Sequence, residues 1–187
     1  MRIIAGAARG IPLEAGDEVE VRPTTDRIKE TLFNILGPLE GKTVVDLFAG
    51  SGALGLEALS RGASKVYFVE RNRRTCDIIE KNLQKIKKNL EHDFEYEIIC
   101  ADFSAVIQRL SFLKGKIDLI LADPPYDDRS ALGVDMLSSE DFAEWGDGAV
   151  LMLEHVVNMT LKPRQFSWKM TKRKDYKLTT LSFWIKK

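Results

Sequence analysis

Between Thr43 and Glu70 a strand, a glycine-rich turn, a helix and a strand-terminal acid follow one another, and this order restricts the chain to a narrow group of folds. Thr43 to Phe48 is apolar and β-branched, as a buried strand requires. It leads through Asp46-Leu-Phe-Ala-Gly50-Ser-Gly52-Ala-Leu-Gly55 into a helix near Ala53 to Ser60, and a second strand, Lys65 to Glu70, closes on an acid. Gly50, Gly52 and Gly55 satisfy G-x-G-x-x-G, and Glu70 stands 20 residues after Gly50. Glycines let a ligand approach backbone that a side chain would block, and a carboxylate at a strand end accepts hydrogen bonds from both hydroxyls of a ribose. The pattern predicts a nucleoside-bearing cofactor. Taken alone it does not separate NAD from S-adenosylmethionine (SAM), because both carry an adenosine.

The alternation continues. Tyr96 to Cys100, Ile117 to Ala122 and Ala149 to Leu153 read as strands, with helices at Arg73 to Leu90 and Ser104 to Leu110 between them. Ile78, Ile79, Leu83, Ile86 and Leu90 make one apolar face of the longer helix, leaving Lys81, Lys85, Lys87 and Lys88 for solvent. This predicts an α/β fold, a mostly parallel sheet with helices on both faces. Phe166 to Met170 and Leu178 to Ile185 read as two antiparallel strands finishing one edge. At the other end, Gly6, Gly10, Pro12 and Gly16 break residues 1–20 into short extended pieces, a small β-hairpin appendage to a main domain over 21–187. A helix then starts with Thr24 or Thr25 as cap and Asp26 in its first turn, has Ile28, Leu32, Phe33, Ile35 and Leu36 as its apolar side, and stops at Gly37-Pro38.

The fourth strand ends in Asp123-Pro124-Pro125-Tyr126, at the carboxyl edge where open α/β sheets bind ligands. Two prolines fix φ and hold a stiff extended turn. Such stiffness suits an exocyclic base amine, a poor nucleophile whose lone pair is delocalised into the ring. Acceptance of its two hydrogens by the Asp123 carboxylate and the Pro124 carbonyl aims the lone pair, and Tyr126 stacks on the base. This turn selects SAM over NAD. Asp102, at the end of the third strand, is placed to accept from an adenine amino group, with Phe103 against the ring; a helix cap and a core aromatic are the alternatives. Asp46 holds the glycine loop and stands near a cofactor amino group, Phe48 is either core or cofactor contact, and Ser51 and Arg71 complete the cofactor set.

Charge and composition exclude other classes. With 44% hydrophobic and 30% charged residues the 187-residue chain should fold as one compact soluble domain. No apolar run approaches the roughly 20 residues of a membrane helix, and the start does not read as a secretory signal, so a cytoplasmic location is expected. Cys76 and Cys100 are far apart in sequence and outside any CxxC, and are expected to be buried structural thiols; no metal site is expected. The 28 basic and 28 acidic residues cancel, which argues against a general nucleic-acid coat. They are unevenly spread, however. Arg2, Arg9, Arg22 and Arg27 near one end and Arg173 and Lys174 near the other are candidate RNA contacts on a basic face.

Taken together, Arg22-Pro-Thr-Thr-Asp-Arg-Ile-Lys-Glu-Thr-Leu-Phe-Asn34, DLFAGSGALGLEALSR over Asp46 to Arg61, Glu70, DPPY from Asp123, and the opening Arg2-Ile-Ile-Ala-Gly6 with Arg9-Gly10 resemble the RsmD family of ribosomal RNA methyltransferases. The resemblance implies a Rossmann-like class I methyltransferase with a seven-stranded sheet, using SAM to methylate N2 of one guanine in small-subunit (16S) ribosomal RNA. It also implies that the segment around Thr24, Thr25 and Phe33 closes over the cofactor, and that the substrate is an assembled ribosomal particle. The family's basic residue followed by Tyr-Gly before the last strand is replaced here by Arg173-Lys-Asp-Tyr-Lys177, without glycine. A paired amine cannot enter a rigid pocket, so the target base should be looped or flipped out. Rival readings are an adenine-N6 methyltransferase, an NAD-dependent oxidoreductase and a binding-only RNA module. No exposed apolar stripe demands a partner, so a monomer is expected.

Overall fold

The computed structural model describes residues 1–15, 26–125, 129–157 and 167–187. Its seven strands form one sheet in the order β3-β2-β1-β4-β5-β7-β6, with helices between the strands: a Rossmann-like α/β fold, as the alternation predicts. The strands are β1 (Thr43–Leu47), β2 (Lys65–Glu70), β3 (Glu95–Cys100), β4 (Leu119–Ala122), β5 (Val150–Val156), β6 (Trp168–Asp175) and β7 (Thr179–Lys186). The chain divides into two compact units, Met1–Phe103 and Ser104–Lys187.

The first unit holds β1, β2 and β3, all parallel, with Thr43 opposite Lys65 and Glu70 opposite Cys100. Helices α1 (Asp26–Leu36), α2 (Ala53–Ser60) and α3 (Arg73–Lys87) accompany them. Val44, Val45, Val66, Phe68, Leu56, Leu59, Ile79 and Ile86 are buried in this core. The first residues double back, with Arg2 bridged to Pro12 and the Ile3 N–H donating to Ile11 O at 3.0 Å. Helix α2 holds this segment. The Ile4 and Ala5 N–H groups donate to the two oxygens of Glu57 at 2.7 and 3.0 Å, and the Ser60 hydroxyl accepts from Ala8 N–H at 2.9 Å. Glu57 is wholly buried between the Lys29 ammonium (3.4 Å) and the Arg61 guanidinium (2.8 Å). Burial pulls the Lys29 ammonium below its ordinary value, while Glu57 opposes that shift.

The second unit pairs β4 with β5 in parallel, β5 with β7 and β7 with β6 antiparallel. A bulge between Met170 and Lys172 interrupts the last pair. Helices α4 (Val106–Arg109), α5 (Arg129–Ser138) and α6 (Glu140–Trp145) complete it. The Trp145 indole N–H donates to Leu110 O at 2.8 Å.

Several boundaries differ from the periodic reading for physical reasons. The third helix ends at Lys87 rather than Leu90, as the exposed Lys87, Lys88 and Asn89 bury nothing. The Ser104 to Leu110 helix is a 3-10 turn (Phe103–Ala105) followed by the short α4. Strand β5 extends to Val156 because β7 pairs with it as far as Thr179. Strand β6 (Trp168–Asp175) runs beyond Met170 through mostly exposed charged residues, since an edge strand needs only one partner, while Phe166 lies outside the described residues. Helices α5 and α6 are not visible in the periodicity. Ser139, whose hydroxyl accepts from Phe142 N–H at 3.1 Å, followed by Glu140 and Asp141 and stopped at Gly146, is the signal that marks α6. Thr24 and Thr25, read as caps of α1, lie outside the described residues, as do Gly16 and Arg22. No helix among the described residues is long and apolar enough to cross a membrane.

Candidate active site

The glycine loop takes its shape from backbone conformations that few residues adopt. Phe48 leaves β1 with φ +59°, the one non-glycine residue of positive φ among those described. A bulky side chain in that region marks strain, which is commonly found at functional sites. Gly50 (φ +54°) and Gly52 (φ +81°) continue the turn. A Cβ on Gly50 would meet nothing nearer than Phe48 O at 4.0 Å, so the space before it is open. Gly55 differs, because there a Cβ would stand 2.4 Å from the Phe68 ring and 3.0 Å from Asp46 Oδ2. The third glycine therefore serves the packing of α2 on the sheet.

Two carboxylates hold the loop. Asp46, 1% exposed, accepts from Gly55 N–H through Oδ2 at 2.8 Å. Glu70 accepts from Gly50 N–H through Oε2 at 3.0 Å and from Asn72 N–H through Oε1 at 2.8 Å. A carboxylate has about four lone-pair sites, so Glu70 keeps acceptor capacity for a ligand while spanning the ends of β1 and β2. Asn72 caps α3 by accepting from Arg74 N–H at 2.9 Å, and Arg71 beside it is exposed. Phe48 and Phe103 lie with ring centroids 5.5 Å apart, and Asp102, two residues past β3, is exposed. Phe48, Gly50, Glu70, Asp102 and Phe103 thus gather around the carboxyl ends of the three parallel strands of this unit. Phe33 instead is buried on α1 beneath the Arg61 guanidinium, 4.8 Å above its ring. Thr25 lies outside the described residues.

In the second unit, Asp123 follows β4 directly and is half-buried, Pro124 is buried and Pro125 exposed; Tyr126 lies outside the described residues. Of the basic candidates, Arg9 and Arg27 are exposed, and Arg2 is exposed while paired with Asp26 at 2.9 Å. Lys174 is exposed on β6. Arg173 beside it is bound to Asp175 (2.8 Å) and to Val157 O (3.1 Å). No group of three or more His, Cys, Asp or Glu among the described residues could hold a metal ion.

The expectation of two buried thiols is half right. Cys76 is buried, but Cys100 is only half-buried, because β3 is the last strand on its side of the sheet. Distant in sequence, the two converge in space: their sulfurs approach the carbonyl oxygens of Glu70 (3.4 Å) and Arg71 (3.8 Å). Burial, with Cys100 second, pushes the Cys76 thiol up to about 12.

Sequence reasoning also passed over Asn82 and Glu57. Both are polar residues inside apolar helical stripes, and that misfit was the available signal. Asn82 Nδ2 donates to Ser51 O at 3.0 Å, which makes it part of the loop's support.

A glycine loop locked to a strand-end carboxylate in a Rossmann-like sheet, with an Asp-Pro-Pro segment directly after the fourth strand, defines a SAM-dependent methyltransferase of class I. The chain belongs to the RsmD family: the family model described as Conserved hypothetical protein 95 matches residues 1–185. It is 32% identical to YlbH of Bacillus subtilis over 188 residues, spanning 100% of both chains. It is 35% identical over 180 residues to the Ribosomal RNA small subunit methyltransferase D of Escherichia coli K12, with 93% of this chain and 84% of that one covered. The solved structure of yhhF from Escherichia coli superposes with a TM-score of 0.72 at 29% identity, covering 100% of this chain and 98% of the other.

Proposed function

We propose that this methyltransferase modifies the exocyclic N2 amine of a guanine in small-subunit ribosomal RNA. The observation that carries the reading is the Asp123-Pro124-Pro125 segment directly after β4, at the strand end where open α/β sheets act on their ligands. SAM supplies the methyl group on a sulfonium sulfur. Gly50, Ser51, Gly52, Glu70, Arg71, Asp102, Phe48 and Phe103 are its proposed seat, with Glu70 accepting from the ribose hydroxyls and Asp102 from the adenine amino group. Asp46 supports the seat from below, and Thr25 and Phe33 belong to the segment that closes it. The Asp123 carboxylate and the Pro124 carbonyl accept the two amine hydrogens and turn the nitrogen lone pair toward the methyl carbon, while Tyr126 stacks on the base. With SAM bound, the methyl would pass to nitrogen as the S–C electron pair left with its sulfur, and one of the amine protons held by Asp123 and Pro124 would be lost to solvent. Alignment and support of the positive charge developing on nitrogen are then the enzyme's contribution.

The rRNA methyltransferase named among the relatives supports the choice of substrate. Arg2, Arg9, Arg22, Arg27, Arg173 and Lys174 are its proposed RNA contacts, with residues 1–20 an appendage to the methyltransferase domain over 21–187. An assembled subunit as target fits a chain of zero net charge, which has little unspecific attraction for naked RNA. A monomer working in the cytoplasm is the corresponding form. The test is incubation with radiolabelled SAM and, separately, small ribosomal subunits, naked ribosomal RNA and DNA, followed by chromatography of the nucleosides. N2-methylguanosine from RNA is expected; N6-methyladenosine would overturn the base assignment, and label in DNA alone the substrate class.

A further inference from the structure

Helix α3 buries one polar side chain in the middle of its apolar face. Asn82 stands beside Leu83 in the stripe made with Ile79 and Ile86, and it is 0% exposed. Asparagine is a weak helix former, and a buried amide costs free energy unless its hydrogens and oxygen are matched. Here every need is met. Nδ2 donates to Ser51 O at 3.0 Å and to Glu14 O at 3.0 Å, and Oδ1 accepts from Glu14 N–H at 2.8 Å. One side chain thus ties the glycine loop to the N-terminal segment, whose residues lie 31 and 68 positions away in sequence.

The tie falls on a residue with a positive-φ glycine on either side. Ser51 sits between Gly50 and Gly52, both of positive φ, and glycine rotates through such conformations at little cost. The Ser51–Gly52 peptide, with such a glycine on its C-terminal side, flips easily unless it is held. The Ser51–Gly52 peptide is held on both sides, its N–H donating to Ala49 O at 2.7 Å and its carbonyl accepting from Asn82. Glu14 is secured a second time, by its carboxylate against Lys85 at 2.8 Å. Met1 reaches the same loop residue, its sulfur 3.7 Å from the Ser51 hydroxyl.

We propose that Asn82 is a positioning residue for cofactor binding: its amide locks the Ser51–Gly52 peptide and makes the glycine loop and the N-terminal segment at Glu14 stabilise one another. This rests on the loop being the SAM seat. Coupling through one amide is reciprocal, so a ligand that orders the loop must also order Glu14.

Two measurements test it. In the unaltered protein, amide hydrogen exchange is followed with and without saturating S-adenosylhomocysteine. Slower exchange at both Gly52 and Glu14 is expected. Protection of Gly52 with Glu14 unchanged would overturn the coupling, whereas no protection anywhere in Gly50 to Gly52 would overturn the cofactor seat itself. The second is steady-state kinetics of Asn82→Leu, which keeps the volume and loses the hydrogen bonds. Its KM for SAM should rise about tenfold, the equivalent of roughly 1.4 kcal/mol, with kcat at saturating SAM nearly kept. A variant that melts earlier with KM unchanged would make Asn82 a core residue only. Lys85→Ala, which removes the exposed tie to Glu14 and leaves the amide intact, should raise KM by much less than Asn82→Leu does; an equal rise would move the effect from Asn82 to the segment as a whole. Should Asn82→Leu fail to fold, the exchange experiment decides alone.

Discussion

The Glu70 carboxylate is already engaged by Gly50 and Asn72, so what it offers a ribose is the remainder of its lone pairs. Glu70→Gln keeps one acceptor and turns an NH2 toward a backbone N–H. Affinity for S-adenosylhomocysteine should fall by about 1.5–3 kcal/mol by calorimetry, the worth of a charge-assisted hydrogen bond; unchanged affinity removes Glu70 from the ribose site. Asp123→Ala should behave in the opposite way, abolishing turnover in the radiolabel assay while the same calorimetric affinity is retained. Loss of both together would make Asp123 a support of the cofactor or the fold. A third expectation concerns Cys76. Burial raises its thiol from 9.0 to about 12, so the folded protein holds that proton more tightly than the unfolded chain does. The resulting stability is fully present below pH 9 and is lost as pH rises toward 12. Native protein treated with iodoacetamide near pH 8 should therefore be alkylated at Cys100 and not at Cys76, read by peptide mass; equal labelling would show that the thiol is open.

At the scale of elements, α2 is tightly constrained, since all but its first residue are buried. Glu57 within it satisfies two backbone N–H groups and two cations at once. Glu57→Ala strands Lys29 as a buried charge, and the cost should be on the order of 3–5 kcal/mol in urea unfolding; a change under about 1 kcal/mol would mean the cluster relaxes into water. Helix α2 and strand β2 were legible to the residue because glycines bracket the helix and the strand interior is two valines around two aromatics. The antiparallel finish was legible as a pair of strands but not in its bounds, since β6 runs on to Asp175 through charged residues with no apolar pattern. Helices α5 and α6 were not, because their apolar residues follow no sustained 3.6-residue period, and α6 spans less than two turns. The proposed site residues divide in the same way. Gly50, Glu70 and Asp123 announce themselves by spacing, whereas Asn82 acts through partners 31 and 68 residues away, a relation that only the folded chain contains.

For the molecule as a whole, zero net charge makes local charge decisive. Lys172 and Lys174 are exposed on β6, and Lys177 follows in the turn that Tyr176 N–H closes on Thr179 O at 2.8 Å, without the glycine of the resembling family. If these lysines hold phosphates, the Lys172→Glu, Lys174→Glu double variant should weaken binding to all RNA sequences alike. The slope of log affinity against log salt should become shallower by about 1 for each phosphate no longer neutralised; an unchanged slope would leave β6 without a role in RNA binding. The same strand has another consequence. Because β6 is last in the sheet, one side of its backbone is a template on which a second molecule could extend the ladder. Lysines along that rim and the bulge at Met170 and Lys172 oppose such self-association. Concentrated preparations should therefore stay clear while these lysines carry charge, and chemical acetylation, which neutralises them, should favour turbidity and fibrillar aggregates.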